Sequence, residues 1–128
     1  MFIALAFMFI QIEQEHGIPA GLLASICYVE SKWDVNAIHH DDGKTNSIGL
    51  CQTKLATAKD LGFIGTEADL LNPVTNAKYA AKYLKHQIKR YHGDLAKAVI
   101  AYNQGSAKHL HETKYSVKVF KKWGGQQK

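Results

Sequence analysis

The strongest constraint on this chain lies in its second half. Asn72-Pro73 is followed by Val74, Ala77, Ala80, Ala81, Leu84, Ile88 and Tyr91. Steps of three and four residues put these side chains on one stripe of an α-helix. Asn caps a helix start, and Pro suits the first helical position, where its missing N–H would go unpaired anyway. Gly93 offers a left-handed stop. Asp94 then caps another helix, with Leu95, Ala98, Val99 and Tyr102 on its apolar face. Stripes of this kind must be buried against other helices, and the remaining segments supply them.

Upstream, Gly17-Ile18-Pro19 breaks the pattern, and a helix is expected from Pro19 or Ala20 with Leu22, Leu23, Ile26, Cys27 and Glu30 on one face. Leu55 to Leu61 reads as a short helix closed by Gly62. Ser116, Val119, Phe120 and Trp123 suggest a final one. Met1 to Ile10 is unbroken apolar sequence, too short to span a bilayer as a helix. No positive residue precedes it and no small-x-small cleavage site follows. It reads as a first helix buried by the domain or by a partner, with a trimmed targeting segment as the alternative. Asp34 to Ser47 is polar and carries the turn signal Asp42-Gly43, hence a long loop or small hairpin. No convincing period-two strand stands out anywhere. The expectation is one all-α domain over residues 1–128, of five or six helices, a length that can bury a core unaided.

The net charge is +5, almost all from lysine, since Arg90 is the only arginine. A basic surface favours an anionic partner such as nucleic acid, acidic lipid or a cell-wall polymer. Nucleic-acid readers lean on arginine for forked contacts to bases and phosphates, so its scarcity argues against that class. Lys118, Lys121, Lys122 and Trp123 read as a solvated helix face. No phosphate-binding glycine loop and no G-x-S-x-G elbow occurs.

Glu30 is the residue with chemical promise. It ends a helix on the face that Leu23, Ile26 and Cys27 send inward. A carboxyl that loses solvation there holds its proton to higher pH and can protonate a leaving oxygen. The competing reading is a Glu that ends a helix and faces solvent.

Glu30-Ser31-Lys32-Trp33 resembles the E-S-x-aromatic motif of the lytic transglycosylases, soluble-type domains with a goose-lysozyme-like fold. Ser47-Ile48-Gly49-Leu50-Cys51-Gln52 is similar to their S-x-G-L-M-Q segment, and Thr57 to Gly62 to the T-A-x-x-L-G that follows it. Asn72-Pro73 with its stripe, ending in Tyr83-Leu84, resembles their N-P-x-x-N helix. Ala101-Tyr102-Asn103-Gln104-Gly105 looks like A-Y-N-A-G, and Glu112 to Tyr115 like E-T-x-x-Y. The motifs occur in order over nearly the whole chain. The resemblance implies peptidoglycan glycan strands as substrate, Glu30 as general acid and then base, and no cofactor or metal. It implies Ser47 and Gln52 as holders of sugar substituents and Tyr102 at the reacting sugar. Asn103 and Gly105 would shape the cleft floor. Tyr115 would face the cleft or pack, with packing favoured. It further implies action in the periplasm or another wall-facing space, as a monomer or as a module of a larger assembly.

Cys51 stands where the family often has Met, and the loop before Gly49 carries the extra run His39-His40-Asp41-Asp42. Adjacent residues rarely converge on one ion, so a solvated loop is expected there rather than a metal site. Asp41 or Asp42 holding water would make the enzyme a hydrolytic muramidase, and a non-catalytic glycan-binding module is the other alternative. If both motifs build one cleft, Cys27 and Cys51 lie close together, as a disulfide or as two packed thiols.

Overall fold

The computed structural model describes residues 2–41, 45–107 and 110–126. Among them run seven helices: α1 (Phe2–His16), α2 (Leu22–Ser31), α3 (Leu55–Asp60), α4 (Glu67–Leu70), α5 (Pro73–Arg90), α6 (Leu95–Gln104) and α7 (Lys114–Gln126). The expected five or six omit α4. Its signal is the capping pair Thr66 and Asp69, each side chain bonding the other's backbone N–H. No period-two strand stands out in the sequence, but the small hairpin it allows is present. Strands β1 (Ile38–Asp41), β2 (Thr45–Ile48) and β3 (Thr53–Lys54) form an antiparallel sheet in that order. Ile38 pairs with Ile48 and Asp41 with Thr45, so the polar loop takes the form of a small hairpin. Its Asp42-Gly43 turn lies outside the described residues.

The long stripe behaves as its spacing requires. The Asn72 side chain accepts from the Thr75 N–H, and Ala77, Ala80, Ala81 and Leu84 are buried. α5 packs against α1, α2, α3, α4 and α6, while α7 closes over α2 and α6. α1 buries Leu5, Phe9 and Ile12 but exposes Ile3, Phe7 and Ile10, so the apolar start is only half covered. No helix among the described residues is long and apolar enough to cross a membrane.

α2 begins later than the sequence suggests. Pro19 sits in the preceding turn, its carbonyl accepting from Leu22 N–H, and Gly21 takes φ +84° just before the helix. Gly21 has no side chain to cap with. Glu13 of α1 does so instead, its two carboxylate oxygens accepting from the Gly21 and Ala24 N–H groups at 2.9 and 3.1 Å. A helix start is the favoured end for a negative charge. Burial pushes the Glu13 carboxyl up, and the backbone N–H bonds pull it part of the way back. From Leu22 to Cys27 every residue of α2 is buried, so this helix is surrounded rather than amphipathic.

Candidate active site

Glu30 lies in the last turn of α2, and the residues after it fix where that helix stops. Lys32 and Trp33 adopt left-handed φ of 56° and 62°. The Trp33 ring packs beside Phe9 and edge-on to Tyr28, and its Nε1 donates to the Ala24 carbonyl at 3.0 Å. Ser31 Oγ donates across to the Leu50 carbonyl at 2.6 Å. The Ser and the aromatic residue of this motif thus serve as anchors that aim the carboxyl.

The segment Ser47 to Gln52 forms the opposing wall, and α5 holds it. Asn76 is fully buried and uses its whole amide. Its Nδ2 donates to the Ile48 and Leu70 carbonyls at 2.7 and 2.9 Å, and its Oδ1 accepts from Cys51 N–H at 2.9 Å. The backbone comes so near that a Cβ on Gly49 would sit 2.8 Å from Asn76 Nδ2, and φ there is +74°. Glycine is required on both counts. Asn76 is the second Asn of the N-P-x-x-N segment, but its part in holding this wall is not read from the sequence, because its partners lie in other segments.

Cys27 and Cys51 form a disulfide, with Cα atoms 4.2 Å apart, joining α2 to this segment. The Tyr102 hydroxyl donates to the Cys51 carbonyl at 2.9 Å, and Tyr83 lies against its ring. Gln52 Nε2 donates to the carbonyls of Gly49 and Ala37 at 2.9 and 3.2 Å. Two carbonyl partners require the nitrogen on that side, which leaves Oε1 as the group Gln52 has to offer.

These pieces enclose an open cleft of about 630 Å³, lined by Glu30, Ser47, Gln52, Tyr102 and Asn103 together with Gly105. The size is within the ordinary range of ligand-binding clefts. His39, expected only as a loop histidine, also lines it. Tyr115 packs against the core, as preferred, and is not among the residues that line the cleft. It stands 85 residues from Glu30 in sequence, yet its hydroxyl donates to Glu30 Oε2 at 2.8 Å. The side chain of Asp41 and the whole of Asp42 lie outside the described residues. Among the described residues lining the cleft, Glu30 is the only carboxyl.

Burial pushes the Glu30 carboxyl up to about 7, and the Tyr115 hydrogen bond tempers the rise. Near neutral pH such a group both gives and takes a proton readily. The Tyr115 hydroxyl is itself pushed up, by burial and then by the nearby Glu30 charge, so it stays a donor. Tyr115→Phe removes a bond that favours the charged form. The Glu30 midpoint is therefore expected to rise above that of the wild type, by up to about one pH unit for one hydrogen bond. Carboxyl ¹³C NMR titration reads this directly, and an unchanged or lowered midpoint would contradict the assigned role of Tyr115.

Residues 7–123 match the Transglycosylase SLT domain family. The Peptidoglycan transglycosylase gp16 of Escherichia phage T7 is 35% identical over 96 residues, which are 73% of this chain and 7% of that protein. The chain therefore corresponds to a small part of that relative. The match runs from α1 to α7 and takes in every element of the cleft, with the mostly helical, lysozyme-like architecture that the ordered motifs implied. The chain belongs to the SLT transglycosylase domain family.

Proposed function

We propose that this domain cleaves the β-1,4 bond between N-acetylmuramic acid and N-acetylglucosamine in peptidoglycan, leaving a 1,6-anhydro end. The observation that carries the reading is the half-buried carboxyl of Glu30, pushed up to about 7 in an open polar cleft. Protonated Glu30 gives its proton to the glycosidic oxygen as the bond from the muramyl anomeric carbon breaks. The muramyl 6-hydroxyl then attacks that carbon, and Glu30 takes back the hydroxyl proton. The carboxyl ends as it began, and no water is consumed. One carboxyl suffices, whereas hydrolytic glycosidases employ a pair.

The surrounding groups support the same reading. Gln52 Oε1 and Ser47 Oγ offer polar contacts to sugar substituents from one wall. Asn103 and Gly105 shape the floor at the end of α6, where Gly105 adopts φ +88°. Tyr102 has committed its hydroxyl to Cys51, so it offers the cleft ring surface. The site of action is wall-facing: the periplasm, or a wall reached through a phage or a secretion machine. The domain works as a monomer or as a module of a larger assembly.

Mass analysis of products from purified peptidoglycan tests the route. Anhydro-muropeptides, each one water lighter than its hydrolysed counterpart, are expected. Products carrying only reducing-end muramic acid would make the enzyme a hydrolytic muramidase instead. Loss of those products in Asp41→Asn or Asp42→Asn would then name the group that holds the water.

A further inference from the structure

We propose that the Cys27–Cys51 disulfide positions Glu30 for catalysis, so that the enzyme is active when the bond is formed and switched off when a dithiol reductant opens it. The inference rests on the reading of this cleft as a glycan-cleaving site.

Different helices hold the two sides of the cleft. α2 carries Glu30; it packs on α5, while side-chain hydrogen bonds tie it to α1 and α7 through the Glu13 cap at its start and Tyr115 at its end. The wall from Ser47 to Gln52 is held from different helices. Asn76 of α5 binds its backbone at Ile48 and Cys51, and Tyr102 of α6 binds it at Cys51. The disulfide joins these two groups of elements covalently, and the Ser31–Leu50 hydrogen bond accompanies it.

The bond is also placed where its opening must be felt. Cys27 precedes Glu30 by one helical turn, and Cys51 directly precedes Gln52. Both cysteines are wholly buried in the main core. Two thiols need more room than a bonded pair of sulfurs, and a close-packed interior has none to give. Room must therefore come from displacement of α2 or of the Leu50–Gln52 backbone, and each carries a side chain of the cleft.

The switching step balances as ordinary exchange. When local opening at the cleft admits it, a thiolate of the reductant attacks one protein sulfur, and the other leaves as a thiolate. The second thiol of the reductant closes on the mixed disulfide and releases the remaining protein sulfur. The protein gains two electrons and two protons, and the reductant becomes a cyclic disulfide. Oxidised glutathione reverses the sequence. A chain made in a thiol-rich compartment would then become active only where disulfides persist.

The test compares oxidised and dithiothreitol-reduced protein at one temperature. Circular dichroism reports the fold, ¹³C NMR the Glu30 titration, and muropeptide release the turnover. Reduced protein that stays folded is expected to lose at least about tenfold in kcat, because displacement of a catalytic group by an ångström costs one to two orders of magnitude. KM should change far less, the Glu30 midpoint should fall toward the ordinary carboxyl range, and oxidised glutathione should restore both readouts. A Cys27→Ala/Cys51→Ala variant should behave like the reduced protein and ignore the reductant. Folded reduced protein with full turnover and an unmoved Glu30 midpoint overturns the proposal. So does unfolding on reduction, which would leave the bond a staple for the fold, or a double variant as active as the oxidised enzyme. Oxidised protein that titrates near 7 but releases no muropeptide defeats the functional reading instead, and the NMR comparison still decides the positioning.

Discussion

Glu30→Gln is expected to lower the rate of peptidoglycan cleavage by at least about a hundredfold, the usual worth of general acid–base help, while making the folded protein more stable above neutral pH. The two effects have one cause. Gln keeps the shape of the side chain and still accepts from the Tyr115 hydroxyl, but it has no proton to transfer. The stability gain follows from the direction of the Glu30 shift. Its carboxyl stands near 7 in the fold against an ordinary value of 4.5. Below 4.5 the group is neutral whether folded or unfolded, and its contribution to stability is intact. As the pH rises toward and through 7 the unfolded chain ionises freely while the fold must hold a charge in a partly desolvated site, and stability is lost. Gln never ionises and escapes this loss. The advantage should be of order 1–3 kcal/mol at pH 8, reduced by whatever solvent the open cleft admits, and should vanish near pH 4. Turbidity clearing and thermal unfolding at the two pH values check both halves. A Gln variant that clears cell walls at the normal rate would end the assignment of Glu30. A variant with no pH-dependent gain would show that the carboxyl is not buried as described.

Asn76→Leu is expected to be the most damaging substitution away from the carboxyl. Leu has the branching of Asn, with bulkier methyl ends, but neither donates nor accepts. It would strand the carbonyls of Ile48 and Leu70 and the N–H of Cys51, all three bonded to Asn76 in the fold. Each unsatisfied buried backbone group costs about 1–3 kcal/mol, so a total loss of at least about 3 kcal/mol is expected in urea unfolding. Asn76→Asp should fare little better, because a second oxygen would face two carbonyls that need a donor. Any surviving folded fraction should cleave poorly, since Gly49 to Gln52 hang from this amide. A Leu variant within about 1 kcal/mol of wild type, the worth of a single hydrogen bond, would mean that water or backbone movement replaces the lost bonds.

Some of this architecture is legible in the amino-acid sequence. The Asn72 and Asp94 caps, the Ala-rich stripe and the Gly93 stop are local signals, and the helices they announce are present, with α5 ending at Arg90, three residues before Gly93. The placement of Glu30 at the end of an inward-facing helix follows from spacing alone. The sheet does not. Its strands are two to four residues long and largely exposed, too short for an alternating pattern to stand out. The start of α2 escapes local rules because its cap comes from Glu13 on another helix, and no local rule anticipates a cap from outside.

Periodicity, capping and ordered motifs are properties of neighbouring residues, so the helical class, the family and the candidate acid Glu30 can be read before the chain folds. How that carboxyl is tuned and held depends on contacts between distant segments. Tyr115 reaches Glu30 across 85 residues, Asn76 reaches Cys51 across 25, and Tyr102 reaches it across 51. A raised carboxyl needs burial by several elements at once, and a fully used buried amide needs donors and acceptors from separate segments. Both conditions arise only when the chain closes on itself.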